Sequence, residues 1–286
     1  MDEQTKTLAY PNLKQSWGLL GITLLVALGF QLLLLFVSLV LTALVTPEAG
    51  RSFLTHPITF LLIYVIVFGI VIRYAARKKH RIENGFSPDY SWPSFGNVIL
   101  IVLATMSIYF LVEPIVELIP MPEFIKNLFE QFLGGLNMWT ILAIVIAAPF
   151  FEEMLLRGIM LDGLLKLYSP TTAILWSAFF FGLVHLNPWQ FIPALALGIF
   201  MGWIYLRTQS LMAAIFIHFI ANGSGVIMAA FVPESERMLP TRDLFGSDAL
   251  YFAVLAFSLV VAVGSIWLLN KTLPHNKPQV VELGTE

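Results

Sequence analysis

Long apolar stretches separated by short polar connections run through the whole chain. Eight of them approach or exceed the roughly 20 residues that a helix needs to cross a bilayer, at about 17–45, 55–75, 96–118, 138–167, 171–187, 189–207, 211–231 and 249–270. The pattern predicts an all-α, polytopic membrane protein of about eight transmembrane helices, with residues 1–286 forming a single integral membrane domain. The runs at 171–187 and 189–207 are short and close together, so a seven-span or re-entrant arrangement fits them as well. The first run exceeds the about 7–15 apolar residues of a cleaved signal and is read as a retained anchor. The longest connections, 76–95, 119–137 and 232–248, carry the Pro, Gly and Ser of ordinary loops.

Composition agrees: 58% of the 286 residues are hydrophobic and 12% charged, against about 45–50% and 25% in soluble domains. A net charge of −2 gives no reason to expect nucleic acid as a partner, and the absence of cysteine excludes disulfides, thiolate metal sites and a cysteine nucleophile. Cytoplasmic loops carry the excess of Lys and Arg. With eight spans and a cytoplasmic N-terminus, the inside set is Lys6, Lys14, Arg73, Arg77, Lys78, Lys79, Arg81, Lys166, Arg207, Lys271 and Lys277. Arg51, Lys126, Arg237 and Arg242 fall outside, so both termini are expected in the cytoplasm. The basic run RKKHR at 77–81 is read as a topology determinant with a secondary contact to anionic lipid.

Against this background the ionisable residues inside spans stand out, because each costs about 2.5–3.5 kcal/mol on insertion scales and needs a partner. The stretch PFFEEMLLRG brings Glu152, Glu153 and Arg157 into one of them. At about 100° per residue, Glu153 and Arg157 share a helix face, while Glu152 points about 100° from Glu153 and 140° from Arg157. A structural ion pair therefore accounts for Glu153 and Arg157 but leaves Glu152 facing something else. His185, in FFFGLVHLN, and His218, in AIFIHFIANG, also fall within predicted spans, and Asn222 lies four residues after His218 on the same face. Lipid offers these groups no hydrogen-bond partner. If the turn near 168–170 is cytoplasmic, Glu152 and His185 each lie about 21 Å along their helices and share a depth. Asp162 and Lys166 read as a simple i,i+4 pair at a helix end, and Phe181 as a packing residue that shapes the wall beside His185.

Glu-Glu-x3-Arg at 152–157, Phe-x3-His at 181–185 and His-x3-Asn at 218–222 resemble the CPBP family, the CAAX proteases and bacteriocin-processing enzymes also called Abi proteins. The likeness covers residues 138–231, the motif-bearing core; the other spans match only in being hydrophobic. Leu156 is a departure, since many members carry an aromatic residue before the arginine. The resemblance implies an all-helical intramembrane endopeptidase. It would use Glu152 as general base, His185 to orient the water, and His218 with Asn222 as oxyanion donors, with Glu153 and Arg157 at the remaining motif positions. Substrates would be peptides or proteins, prenylated in some members, met in the lipid bilayer of the cell membrane. No cofactor is expected.

Other readings stand beside this one. Glu152, His185 and His218 would make a His2Glu zinc set, although the chain lacks a His-Glu-x2-His helix and Asn222 is an uncommon zinc ligand. A proton-coupled transporter would also bury carboxylates and histidines, but its inverted repeat would place a second cluster in the other half, and the polar residues are confined to 152–222. A noncatalytic peptide-binding or immunity protein would use the same residues to hold a ligand.

Overall fold

The computed structural model describes residues 9–134, 137–237 and 239–274. Among them there is no strand, only one isolated bridge between Asp89 and Ser210. The helices are α1 (Leu13–Leu44), α2 (Pro47–Thr55), α3 (57–83), α4 (Phe95–Glu117), α5 (Glu123–Gly134), α6 (Met138–Leu167), α7 (Pro170–Leu183), α8 (Pro188–Thr208), α9 (Leu211–Phe231) and α10 (Asp248–Thr272). Six of these, α1, α4, α6, α8, α9 and α10, are long and apolar enough to cross a membrane. Their outward side chains are lipid-compatible: on α10, Phe257, Val260 and Val263 are more than half exposed, where a soluble helix would carry charge. The chain is a multi-pass membrane protein.

Two of the eight expected spans take other forms. The run at 55–75 lies in α3, which continues past the apolar part into its basic end and contains a π-helical turn, Tyr64–Phe68. The run at 171–187 breaks at Leu183, leaving α7 with 14 residues, about 21 Å of helix against an apolar bilayer core of about 30 Å. The break is local chemistry. A residue before proline is pushed out of the helical region, and Asn187, before Pro188, instead caps α8 by accepting from the Gln190 amide at 2.9 Å.

The chain separates into two compact units. The first comprises α1, α2, α3 and α6. Its N-terminal segment is held by a buried charge network. Lys79 donates to the Tyr10 carbonyl and to Glu83, both at 2.7 Å, and pairs with Asp162 at 2.7 Å. Lys166 reaches Glu83 at 2.8 Å and Asp162 at 2.7 Å, and the Tyr10 amide donates to Glu83 at 2.9 Å. Two lysines and two carboxylates thus pair repeatedly, which is how buried ions escape their desolvation cost. The Asp162–Lys166 pair expected from spacing is real but is half of a larger cluster. Lys79, in the middle of the basic run, is buried rather than solvated. Burial, with Tyr74 nearby, pushes the Tyr10 hydroxyl up to about 12.

The second unit comprises α4, α5 and α7 to α10. Here α7 packs on α8, and α4 packs on α8, α9 and α10. Gly182 makes the α7–α8 approach possible, because a Cβ there would stand 2.7 Å from the Phe191 ring and 3.1 Å from its carbonyl. At the far end of α8, Arg207 donates to the carbonyls of Asn270, Leu273 and Pro274 at 2.8–2.9 Å. It thereby satisfies the backbone acceptors that a helix C-terminus leaves open.

Candidate active site

In the first unit, α6 carries the carboxylates. It is not a uniform α-helix: π-helical segments at Leu142–Ala147 and Met154–Leu161 flank a short α-helical stretch, Ala148–Glu153, that ends on the two glutamates. π-helical turns widen the helix locally and recur at functional sites. Glu152, Glu153 and Arg157 are all buried, the last two completely. Arg157 Nη1 donates to Glu153 Oε1 at 2.8 Å, the pair that the i,i+4 spacing predicts. Glu152 faces away and accepts from the Tyr64 hydroxyl, supplied by the π-helical turn of α3 and stacked on Phe68 with ring centroids 5.6 Å apart. One carboxylate is thus neutralised by a cation while its neighbour meets a neutral phenol. Tyr64 gave no signal in the sequence, being one aromatic in an apolar run 88 residues upstream of Glu152.

In the second unit, α7 to α9 bring the remaining motif residues around one cavity. His185 is not in a helix, as its span predicted, but in the turn that ends α7, its amide donating to the Gly182 carbonyl at 3.2 Å. The equal depth expected for Glu152 and His185 presumed an unbroken helix from Thr171, and that premise fails. The next residue, Leu186, adopts a left-handed backbone at φ 56°, uncommon for a bulky side chain and a mark of local strain. His185 Nδ1 lies 2.9 Å from the Phe181 carbonyl. A carbonyl only accepts, so Nδ1 carries the proton and Nε2 of the neutral ring is left as an acceptor. The Phe181 ring stands edge-on to both imidazoles, 5.4 Å from His185 and 5.1 Å from His218. It is the shared wall of two histidines, more than the packing residue its position suggested.

The cavity, about 110 Å3, is lined on its polar side by His185, His218 and Asn222. Ala194, Leu197 and Met201 of α8 form an apolar wall. Its volume is below the roughly 150 Å3 of a cavity that takes benzene. Tyr109 of α4 and Gln190 of α8 also line it; neither belongs to a motif, and sequence reading passed over both. Among the described residues, no group of three or more His, Cys, Asp or Glu side chains is arranged to hold a metal ion.

A polytopic membrane protein thus buries a carboxylate pair on one membrane helix and, in its other unit, edges a cavity with two imidazoles and a carboxamide. Residues 134–224, which contain every one of these motif side chains, match the family described as Type II CAAX prenyl endopeptidase Rce1-like. The chain is also similar to CAAX prenyl protease 2 of Methanococcus maripaludis, with 29% identity over 180 residues. That alignment takes in 52% of this chain and 65% of the relative's length. No solved structure matches the chain significantly.

Proposed function

We propose that the protein is an intramembrane endopeptidase of the CAAX type that hydrolyses a peptide bond with a water activated by Glu152. Glu152 takes a proton from water as the oxygen attacks the scissile carbonyl. His185, through its Nε2 lone pair, orients that water, and His218 with Asn222 donates to the oxygen as it becomes negative. The proton then passes to the leaving amine. Glu153 and Arg157 hold the carboxylate pair in place, the arginine compensating charge that would otherwise be costly in a water-poor setting. The observation that carries the reading is the single cavity edged by His185, His218 and Asn222, residues of two different motifs within the family-matched segment. Substrate would be a peptide or protein C-terminal segment, prenylated or unmodified. No metal enters the proposed reaction.

The test is hydrolysis of quenched fluorescent CAAX peptides, farnesylated and unmodified, by detergent-purified protein. Glu152→Ala and His218→Ala are each expected to lower kcat by about 10²-fold or more, the usual effect of removing a base or an oxyanion donor. Activity is expected to survive a zinc chelator. Undiminished turnover by Glu152→Ala would sink the mechanism, and chelator-sensitive turnover would transfer it to zinc.

A further inference from the structure

Tyr109 lies on α4, outside the family-matched residues 134–224 and outside all three motifs, yet it lines the same cavity as His185, His218 and Asn222. Its hydroxyl approaches α9 at Gly225, 4.0 Å from where a Cβ on that glycine would sit. Gly225 itself has no side chain for the hydroxyl to bond, and the nearest polar side chain of α9 on the cavity is Asn222, one turn earlier. Among the described residues, no hydrogen bond to the Tyr109 hydroxyl is found. A buried or half-buried tyrosine ordinarily finds a partner for its O–H, and a phenylalanine would fill the same space against α9. The hydroxyl is therefore surplus to packing.

A peptide entering this cavity supplies the missing partner. An extended segment brings backbone carbonyls and amides into a place where lipid cannot satisfy them, and each group left open is costly. The protein must meet them with its own donors and acceptors. Gln190, at the exposed start of α8, is half committed: its Oε1 accepts from Asn187 Nδ2 at 2.6 Å, which leaves its amide N–H groups for another acceptor. A neutral phenol donates readily to a carbonyl oxygen. Extended chains present a carbonyl at every residue, about 3.3 Å apart along the strand.

The geometry points to Tyr109 as a further substrate-positioning residue, its O–H donating to a backbone carbonyl of a peptide lodged in the cavity beside His218 and Asn222. The assignment rests on the reading of this cavity as the place where peptide binds, but not on hydrolysis occurring there.

Two measurements on the full-length protein separate the two. Binding of a fluorescein-labelled, unprenylated CAAX peptide is followed by anisotropy in the Glu152→Gln background, with and without Tyr109→Phe. Turnover is followed in the otherwise native chain. Removing one hydrogen bond is expected to raise Kd about threefold to tenfold. KM should rise by the same factor, with kcat within about twofold and an unchanged Tm. Tyr109-dependent binding by a chain that cleaves nothing would uphold the assignment and remove the peptidase reading. Equal Kd and KM in an active enzyme would remove the assignment and leave the peptidase reading intact. No binding by the Glu152→Gln protein overturns the assignment outright.

Discussion

The carbonyl oxygen of Phe181 accepts from His185 Nδ1 across 2.9 Å, and this one contact decides which nitrogen of the imidazole is available for chemistry. With Nδ1 protonated, only Nε2 can accept a hydrogen bond from water or substrate. The amide nitrogen of asparagine can imitate Nδ1, whereas glutamine can place a carbonyl oxygen near the position of Nε2. His185→Asn is therefore expected to lose about 10²-fold or more in kcat, as removal of an orienting group does. His185→Gln should retain roughly tenfold more activity than the asparagine variant, because it alone restores an acceptor. Equal activities in the peptide assay would remove Nε2 from the reaction.

Glu153 and Arg157 are completely buried and bonded at 2.8 Å, so removing one partner strands the other. Arg157→Met is expected to destabilise the protein by about 3–5 kcal/mol. Removing both charges with Glu153→Leu and Arg157→Met together should recover most of that loss. Thermal unfolding in detergent measures this half of the role. If the folded double variant also regains peptide hydrolysis, the pair is structural alone; activity at or below a hundredth of wild type is the expected result.

Gly182 permits the close packing of α7 on α8, and its carbonyl accepts from the His185 amide. A methyl group there would press on the Phe191 ring and carbonyl. Gly182→Ala is expected to cost about 1–3 kcal/mol, as overpacking does. It should also lower kcat/KM more than its effect on Tm explains, because the turn bearing His185 moves with it. A stable variant with native kinetics would show that the turn is independent of the packing.

Gly163 faces the backbone of Tyr10 and Pro11, where an added Cβ would stand 2.4–2.5 Å from main-chain atoms. Main chain cannot yield as a side chain does. Gly163→Ala is therefore expected to dislodge the N-terminal segment from Lys79 and Glu83, and limited proteolysis should show faster cutting ahead of Leu13. A cutting rate equal to wild type would mean that the segment accommodates the methyl group.

These contacts show where sequence reading succeeds and where it stops. The Glu153–Arg157 pair was legible because helix periodicity alone places residues four apart on one face. The same reasoning left Glu152 facing elsewhere, correctly, but could not find Tyr64, since nothing local links positions 88 residues apart. For His185 the apolar run suggested one long helix. The Asn-Pro dipeptide that starts α8 outweighed that pattern, and α7 ends at Leu183, four residues before Asn187. Lys79 was invisible for a different reason: within RKKHR its neighbours are exposed or partly exposed, and only the arrival of Asp162 from α6 selects it for burial.

The π-helical segments on either side of Glu152 and Glu153 bear on how this chain should be compared with others. A π-helical turn is what one extra residue produces when both ends of a helix stay where they are. Deleting one residue within 142–147 would therefore turn that segment into ordinary α-helix and leave Glu152 on the face that meets Tyr64. A relative that aligns here with a one-residue gap ahead of Glu-Glu-x3-Arg would keep its glutamates facing the same way, so a gap at this point is no mark against the comparison.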